Sequence, residues 1–144
     1  MYLDSAILVK LVVHEPDSDF YADIVDGQFA VYSSELAIVE CRSALLRKKG
    51  QGQIDARTYT GAWTRLQAHW SSGGGLILQP VTLAVLKEAG ETIQRCIGHT
   101  PLCTLDAIHI ASCLFSRAFP LVTNDSIMRM AAESLGVPLS PLPV

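Results

Sequence analysis

With 144 residues, 49% of them apolar and 17% charged, the chain holds enough hydrophobic material for one core and is too apolar for a disordered segment. No apolar run reaches the roughly 18 residues of a membrane span. The opening Met1-Tyr2-Leu3-Asp4 carries neither a basic segment nor a cleavage signal, so one cytoplasmic domain over residues 1–144 is expected. A formal net charge of −3 excludes a protein that grips nucleic acid by bulk charge alone, yet leaves room for a local basic patch or for acids gathered around a metal.

In chain order, Met1–Asp4 reads as a short strand ending in an acid, and Ser5–Val13 as a helix stopped before Pro16. Asp17-Ser18 are cap candidates for a helix through Val25, closed by Gly27. Phe29–Tyr32 is the next strand. Ser33 and Ser34 then stand where a helix over Glu35–Lys49 needs a cap, with Gly50 as its stop. A helix over Ile54–Trp70, a Ser/Gly loop and a strand Leu76–Gln79 follow. The helix Thr82–Ile97 shows Leu83, Leu86, Ile93 and Ile97 broadly on one side, which predicts its buried face. Thr104–Arg117 reads as a helix, Pro120–Thr123 as a strand and Ser126–Leu135 as a last helix. Val137-Pro138-Leu139 fits an edge strand, since proline cannot donate to an interior ladder.

Strands separated by helices imply an α/β fold: a parallel sheet with helices on both faces and ligands beyond the carboxyl ends of the strands. Cys41, Cys96, Cys103 and Cys113 form no C-x-x-C pair and have no histidine at zinc spacing. They are expected to be small buried hydrophobes.

Four acids stand out. Asp4 and Asp125 lie at or just after strand ends, Glu40 sits in an apolar helix, and Asp106 falls within the nearly apolar run Leu102–Ala111. A carboxylate among apolar neighbours is costly unless paired or bound to a cation. Several carboxylates together suit Mg²⁺ or Mn²⁺, hard ions that take oxygen ligands and help hydrolyse phosphate esters. Three of them also have a plain structural role open to them: a turn residue for Asp4, a dipole-facing acid for Asp106, a helix cap for Asp125.

The segments Tyr2-Leu3-Asp4-Ser5-Ala6-Ile7-Leu8-Val9-Lys10-Leu11, Ser33–Glu40 with Arg42, Thr100–Ala111 and Leu121-Val122-Thr123-Asn124-Asp125 resemble, in order and spacing, those of PIN-domain nucleases, especially VapC-type toxins of bacterial toxin–antitoxin pairs. The resemblance spans essentially the whole chain. It implies a PIN-like α/β/α sandwich with a mostly parallel sheet and a metal-dependent endoribonuclease using Mg²⁺ or Mn²⁺. By position, Asp4, Glu40, Asp106 and Asp125 match the family's acidic metal-site residues, with Asp4 and Asp106 the firmest ligands. Ser5 and Asn124 match polar neighbours of those ligands. Ala6 departs from the pattern, which often has a second Ser, Thr or Asn there. The implied partners are an RNA substrate, a cognate antitoxin and a second copy of the chain, with no membrane.

Other residues read more simply. His109, one turn after Asp106, is expected to be a hydrogen-bonded core residue. Trp63 and Trp70, seven residues apart, share a helix face suited to packing. Lys48 and Lys49 read as a solvated helix end, and Arg42 as near enough to Glu40 to meet a phosphate or a partner's acid. Three alternatives stand beside the ribonuclease. An aspartyl-phosphate phosphatase would want a second acid where Ala6 stands; the others are a non-catalytic binding module and a flap-type DNA nuclease.

Overall fold

The computed structural model describes residues 1–144. Strands β1 (Tyr2–Leu3), β2 (Val31–Ser34), β3 (Leu76–Gln79) and β4 (Leu121–Val122) form one all-parallel sheet in the order β3-β2-β1-β4. The chain fills the sheet outward from β1 to β3, then returns to the other side of β1. That reversal makes a switch point between β1 and β4, where the crevice of an open parallel sheet lies. Asp4 follows one of these two strands and Asp125 lies beyond the other.

Seven helices cover both faces: α1 (Ser5–Lys10), α2 (Ser18–Val25), α3 (Leu36–Gly50), α4 (Ala56–Trp70), α5 (Leu83–Cys96), α6 (Thr104–Ser116) and α7 (Ser126–Ser134). Successive strand residues point to opposite faces. Leu3 and Val122 therefore join a core with Ile7, Tyr21, Cys41, Leu45 and Leu66 from α1–α4. Tyr2 and Leu121 join a second core with Cys96, Ile110, Cys113 and Met128 from α5–α7. Burial on both faces explains why β1 and β4, at the centre of the switch point, read as apolar pairs without alternation.

Three element boundaries need correction. The first helix ends at Lys10 rather than Val13, because the Lys10 carbonyl accepts from Ser18 Oγ (2.8 Å) and its ammonium turns to Glu15 and Asp17. Asp17 thus pairs with Lys10 and gives α2 no side-chain cap. The second strand begins at Val31 and keeps Ser33 and Ser34, whose side chains serve the strand end: Ser33 Oγ donates to the Leu3 carbonyl and Ser34 Oγ accepts from Leu36 N.

The buried face of α5 is the largest departure. Leu83, Leu86 and Ile97 are exposed, while Val85, Ala89, Thr92 and Cys96 are buried. Close approach to α6, through Ala107, Ile108 and Ala111, favours small residues over large ones. Residues 137–139 make only one parallel bridge, Leu121 to Leu139, and Pro138 contributes the carbonyl that accepts from Leu121 N. The Trp63 and Trp70 rings do pack edge to face, 5.6 Å apart.

The turn from α4 into β3 depends on Gly74. A Cβ there would stand 2.1 Å from the Ala68 carbonyl oxygen and 2.3 Å from that of His69. Both are backbone atoms at a helix end and have little freedom to retreat. Gly74→Ala is expected to cost about 1–3 kcal/mol, the range for overpacking, read as a lower urea midpoint with an unchanged slope.

Candidate active site

Asp4 sits at the carboxyl end of β1 and is 3% exposed. Its Oδ1 accepts from Ile7 N at 2.8 Å, so it caps α1; its Oδ2 accepts from the Thr123 hydroxyl. Burial pushes its carboxyl above the usual range, against these two hydrogen bonds. The parallel register explains the Thr123 contact. Tyr2 pairs with Leu121 and Leu3 with Val122, so the next step in each chain brings Asp4 beside Thr123. Thr123 Oγ1 also accepts from Asp125 N at 3.1 Å, tying the two strand ends together. Asp125 caps α7, with Oδ1 accepting from Met128 N at 2.7 Å. The cap roles are therefore real for Asp4 and Asp125, and both acids still stand at the switch point.

A second chain of bonds joins the two helical layers. Ser5 Oγ donates to Glu40 Oε1 at 2.7 Å, and His109 Nε2 lies 2.6 Å from the same oxygen. His109 Nδ1 meets the Tyr2 hydroxyl at 2.8 Å. Burial raises the Glu40 carboxyl, but the bond and charge of His109 and the Ser5 hydroxyl outweigh it and leave the group below its ordinary value. Burial also holds the Tyr2 phenol well above its usual range. His109 is buried and hydrogen-bonded as expected, and its partners put it in the site.

Asp106 lies in the first turn of α6, three residues before His109 and hence on a neighbouring part of the same face. Its only side-chain partner is Cys103, whose thiol donates to Oδ2 at 2.9 Å and caps the helix at Asp106 N. Cys103 is exposed, unlike the other three cysteines, because it precedes the helix and takes a cap position. Cys103→Ala is expected to cost about 0.5–1 kcal/mol as a lost cap, seen in the thermal midpoint.

A cavity of about 570 Å³ opens beside these residues, between α1 and α3. Ser5, Glu40 and Asn124 line one part, and Arg47, Lys48, Lys10 and Glu15 another. Ala6 is also on its wall and offers a methyl where a hydroxyl or amide would have added a polar contact. As the side chains stand, no three His, Cys, Asp or Glu residues converge closely enough to grasp one ion. The donors nevertheless suit a hard cation that keeps several waters. Glu40, Asp106 and Asp125 each bond through one oxygen and leave the other without a protein partner, and Asp4 holds a carboxylate that burial disfavours as an anion.

The PIN domain family model matches residues 1–133. The chain belongs to the PIN-domain family. It is also 37% identical over 141 residues to the protein named Ribonuclease VapC46 of Mycobacterium tuberculosis (strain ATCC 25618 / H37Rv), an alignment covering 95% of this chain and 93% of that protein. The PIN-domain assignment is thus of the VapC type. In this PIN domain the sandwich is built on four parallel strands.

Two basic residues fall elsewhere than expected. Arg42 lies over the Trp63 ring at 5.1 Å, since residues two apart on a helix face different ways. Lys48 is not a free helix end; it pairs with Glu15 at 2.7 Å. Thr123 and Tyr2 had no site role from sequence, and Cys103 was expected to be a buried hydrophobe. Thr123 directly before Asn124-Asp125 was the available signal, and it becomes readable only once the strand register is known. No helix is long and apolar enough to cross a membrane.

Proposed function

We propose that this PIN domain is a metal-dependent endoribonuclease, the toxin of a type II toxin–antitoxin pair, with Asp4, Glu40, Asp106 and Asp125 as its catalytic and metal-holding acids and Mg²⁺ or Mn²⁺ as cofactor. The observation that carries this reading is the tie between Asp4 and Asp125 through Thr123 at the β1/β4 switch point. The likeness to a protein named a ribonuclease supports RNA as the substrate. A cognate antitoxin, a second copy of the chain and a cytoplasmic place of action belong to the same reading.

When bound, a divalent cation offsets phosphate charge and lowers the pKa of a water. The chain's own residues do the rest. Asp4, fixed by Ile7 N and Thr123, presents an acid that cannot swing. Glu40, fixed through Oε1, has Oε2 left for the site. Asp106 and Asp125 contribute their unpartnered oxygens, and Asn124 and Ser5 offer polar contacts at the cavity wall. In hydrolysis the water oxygen forms a bond to phosphorus as the opposite P–O bond breaks; one of the water's protons goes to the departing oxygen and the other stays on the new phosphate group or passes to solvent.

Asp106→Asn tests this reading while keeping a shape that still accepts from Cys103. The folded variant is expected to lose more cleavage of single-stranded RNA than the roughly 10- to 100-fold cost of disturbing a ligand's supporting shell. Wild-type cleavage by this variant, or preference of the unaltered protein for branched DNA, would sink it.

A further inference from the structure

We infer that His109 is a positioning residue for Glu40, held in turn by Tyr2. The inference rests on the reading of Glu40 as part of the metal site. An ionised carboxylate only accepts hydrogen bonds, so the 2.6 Å contact requires the hydrogen on Nε2 of His109. The other ring nitrogen, Nδ1, is then taken up by the Tyr2 hydroxyl 2.8 Å away, which can give or receive the hydrogen of that bond. Neither ring nitrogen is left to wander, and the Tyr2 ring adds an edge contact at 5.9 Å.

The arrangement matters because of where its parts come from. Glu40 is on α3, in the layer packed on one face of the sheet; His109 is on α6, in the other layer. A carboxylate side chain on a half-exposed helix turn has several rotamers and an entropic reason to sample them. Ser5 and His109 converge on the same oxygen, Oε1, and so select one of those rotamers. They leave Oε2 as the oxygen with no protein partner. His109 is 2% exposed and beyond the cavity lining, so it acts on the site through Glu40 and not by touching substrate. Supporting bonds of this kind typically govern metal affinity or activity by about 10- to 100-fold.

The experiment compares His109→Leu, His109→Gln, Tyr2→Phe, Glu40→Gln and the Glu40→Gln/His109→Leu pair in the full chain. Mn²⁺ affinity is read by calorimetry without RNA, and cleavage at saturating Mn²⁺ separately. His109→Leu is expected to weaken Mn²⁺ binding about 10- to 100-fold. His109→Gln, whose amide nitrogen reaches the place of Nε2, should restore most of the affinity. In the Glu40→Gln background, His109→Leu should change nothing further. A folded His109→Leu with wild-type affinity overturns the inference, as does an equal loss in both backgrounds. Tyr2→Phe deletes one oxygen and keeps the ring packed, so it carries the test where His109→Leu does not fold; a severalfold weakening is expected and wild-type affinity is contrary. Wild-type binding and cleavage by Glu40→Gln would instead sink the metal-site reading, and this inference with it.

Discussion

Asp4→Asn is expected to abolish RNA cleavage and, in chelator, to make the protein more stable than wild type. Asparagine keeps the shape, still caps α1 by accepting from Ile7 N, and can donate to Thr123 Oγ1. What it removes is a carboxylate that burial disfavours. The gain at neutral pH should be about 1–3 kcal/mol, the desolvation cost of a buried group whose needs are incompletely met. Because the folded carboxyl titrates above the unfolded one, the folded state holds the extra proton between those two values. On this residue's account, stability therefore falls as pH rises from about 3.9 through the folded value and stays lower beyond it. The gap between variant and wild type should open over that window and close below it. Saturating Mn²⁺ should close or reverse the gap: at a hundred times its dissociation constant, a bound ion stabilises the wild type by about 2.7 kcal/mol and leaves the variant nearly unmoved. Thermal unfolding with and without Mn²⁺ checks both signs; a variant less stable in chelator and equally stabilised by Mn²⁺ would contradict the role given to Asp4.

Lys10→Met is expected to destabilise the fold strongly, although it touches none of the four acids. Lys10 is 9% exposed, and its ammonium meets Glu15 Oε2 at 2.6 Å and Asp17 Oδ1 at 2.7 Å. Lys48 of α3 completes the group at Glu15 Oε1, so the network ties α1, the following turn and α3 around the cavity. Methionine fills much of the space but strands Asp17 and leaves Glu15 with one cation. A broken buried pair costs about 3–5 kcal/mol; with carboxylates about a quarter exposed, the expected loss is nearer 2–3 kcal/mol. Burial opposes the charge on Lys10, yet Asp17 and Glu15 outweigh it and hold the ammonium's pKa above its ordinary value. Burial likewise opposes the Glu15 anion, and Lys10 and Lys48 outweigh it, holding that pKa below its usual value. The lysine's contribution is full below about 10.4 and lost as pH rises through its folded value; the glutamate's is full above about 4.3 and lost as pH falls through its own. Chemical denaturation across pH should show the variant's deficit largest between those limits. A deficit that does not shrink toward either limit would count against the network.

Element types were legible because apolar spacing and caps are local. Asp55, Thr82 and Asp125 each accept from the N–H three residues on, so those helix starts follow from short-range chemistry. Boundaries failed where distant groups intervened, as Ser18 does at Lys10. The buried face of α5 was misread for a related reason. Hydrophobicity favours Leu83, Leu86 and Ile97 inside, while the distance to α6 favours Ala89 and Thr92. Cys103 was misplaced because its thiol was weighed as a hydrophobe, when its position before α6 makes it a cap.

By itself, the sequence determined the α/β alternation, the family and the set of acids worth considering, since residue type and spacing along the chain carry that information. Only the tertiary structure decided the strand order, and with it the switch point that puts Asp4 and Asp125 on either side of Thr123. It also decided that Glu40 is met by Ser5 and His109, partners 35 and 69 residues away. Such contacts depend on register and layer packing, which no local pattern encodes.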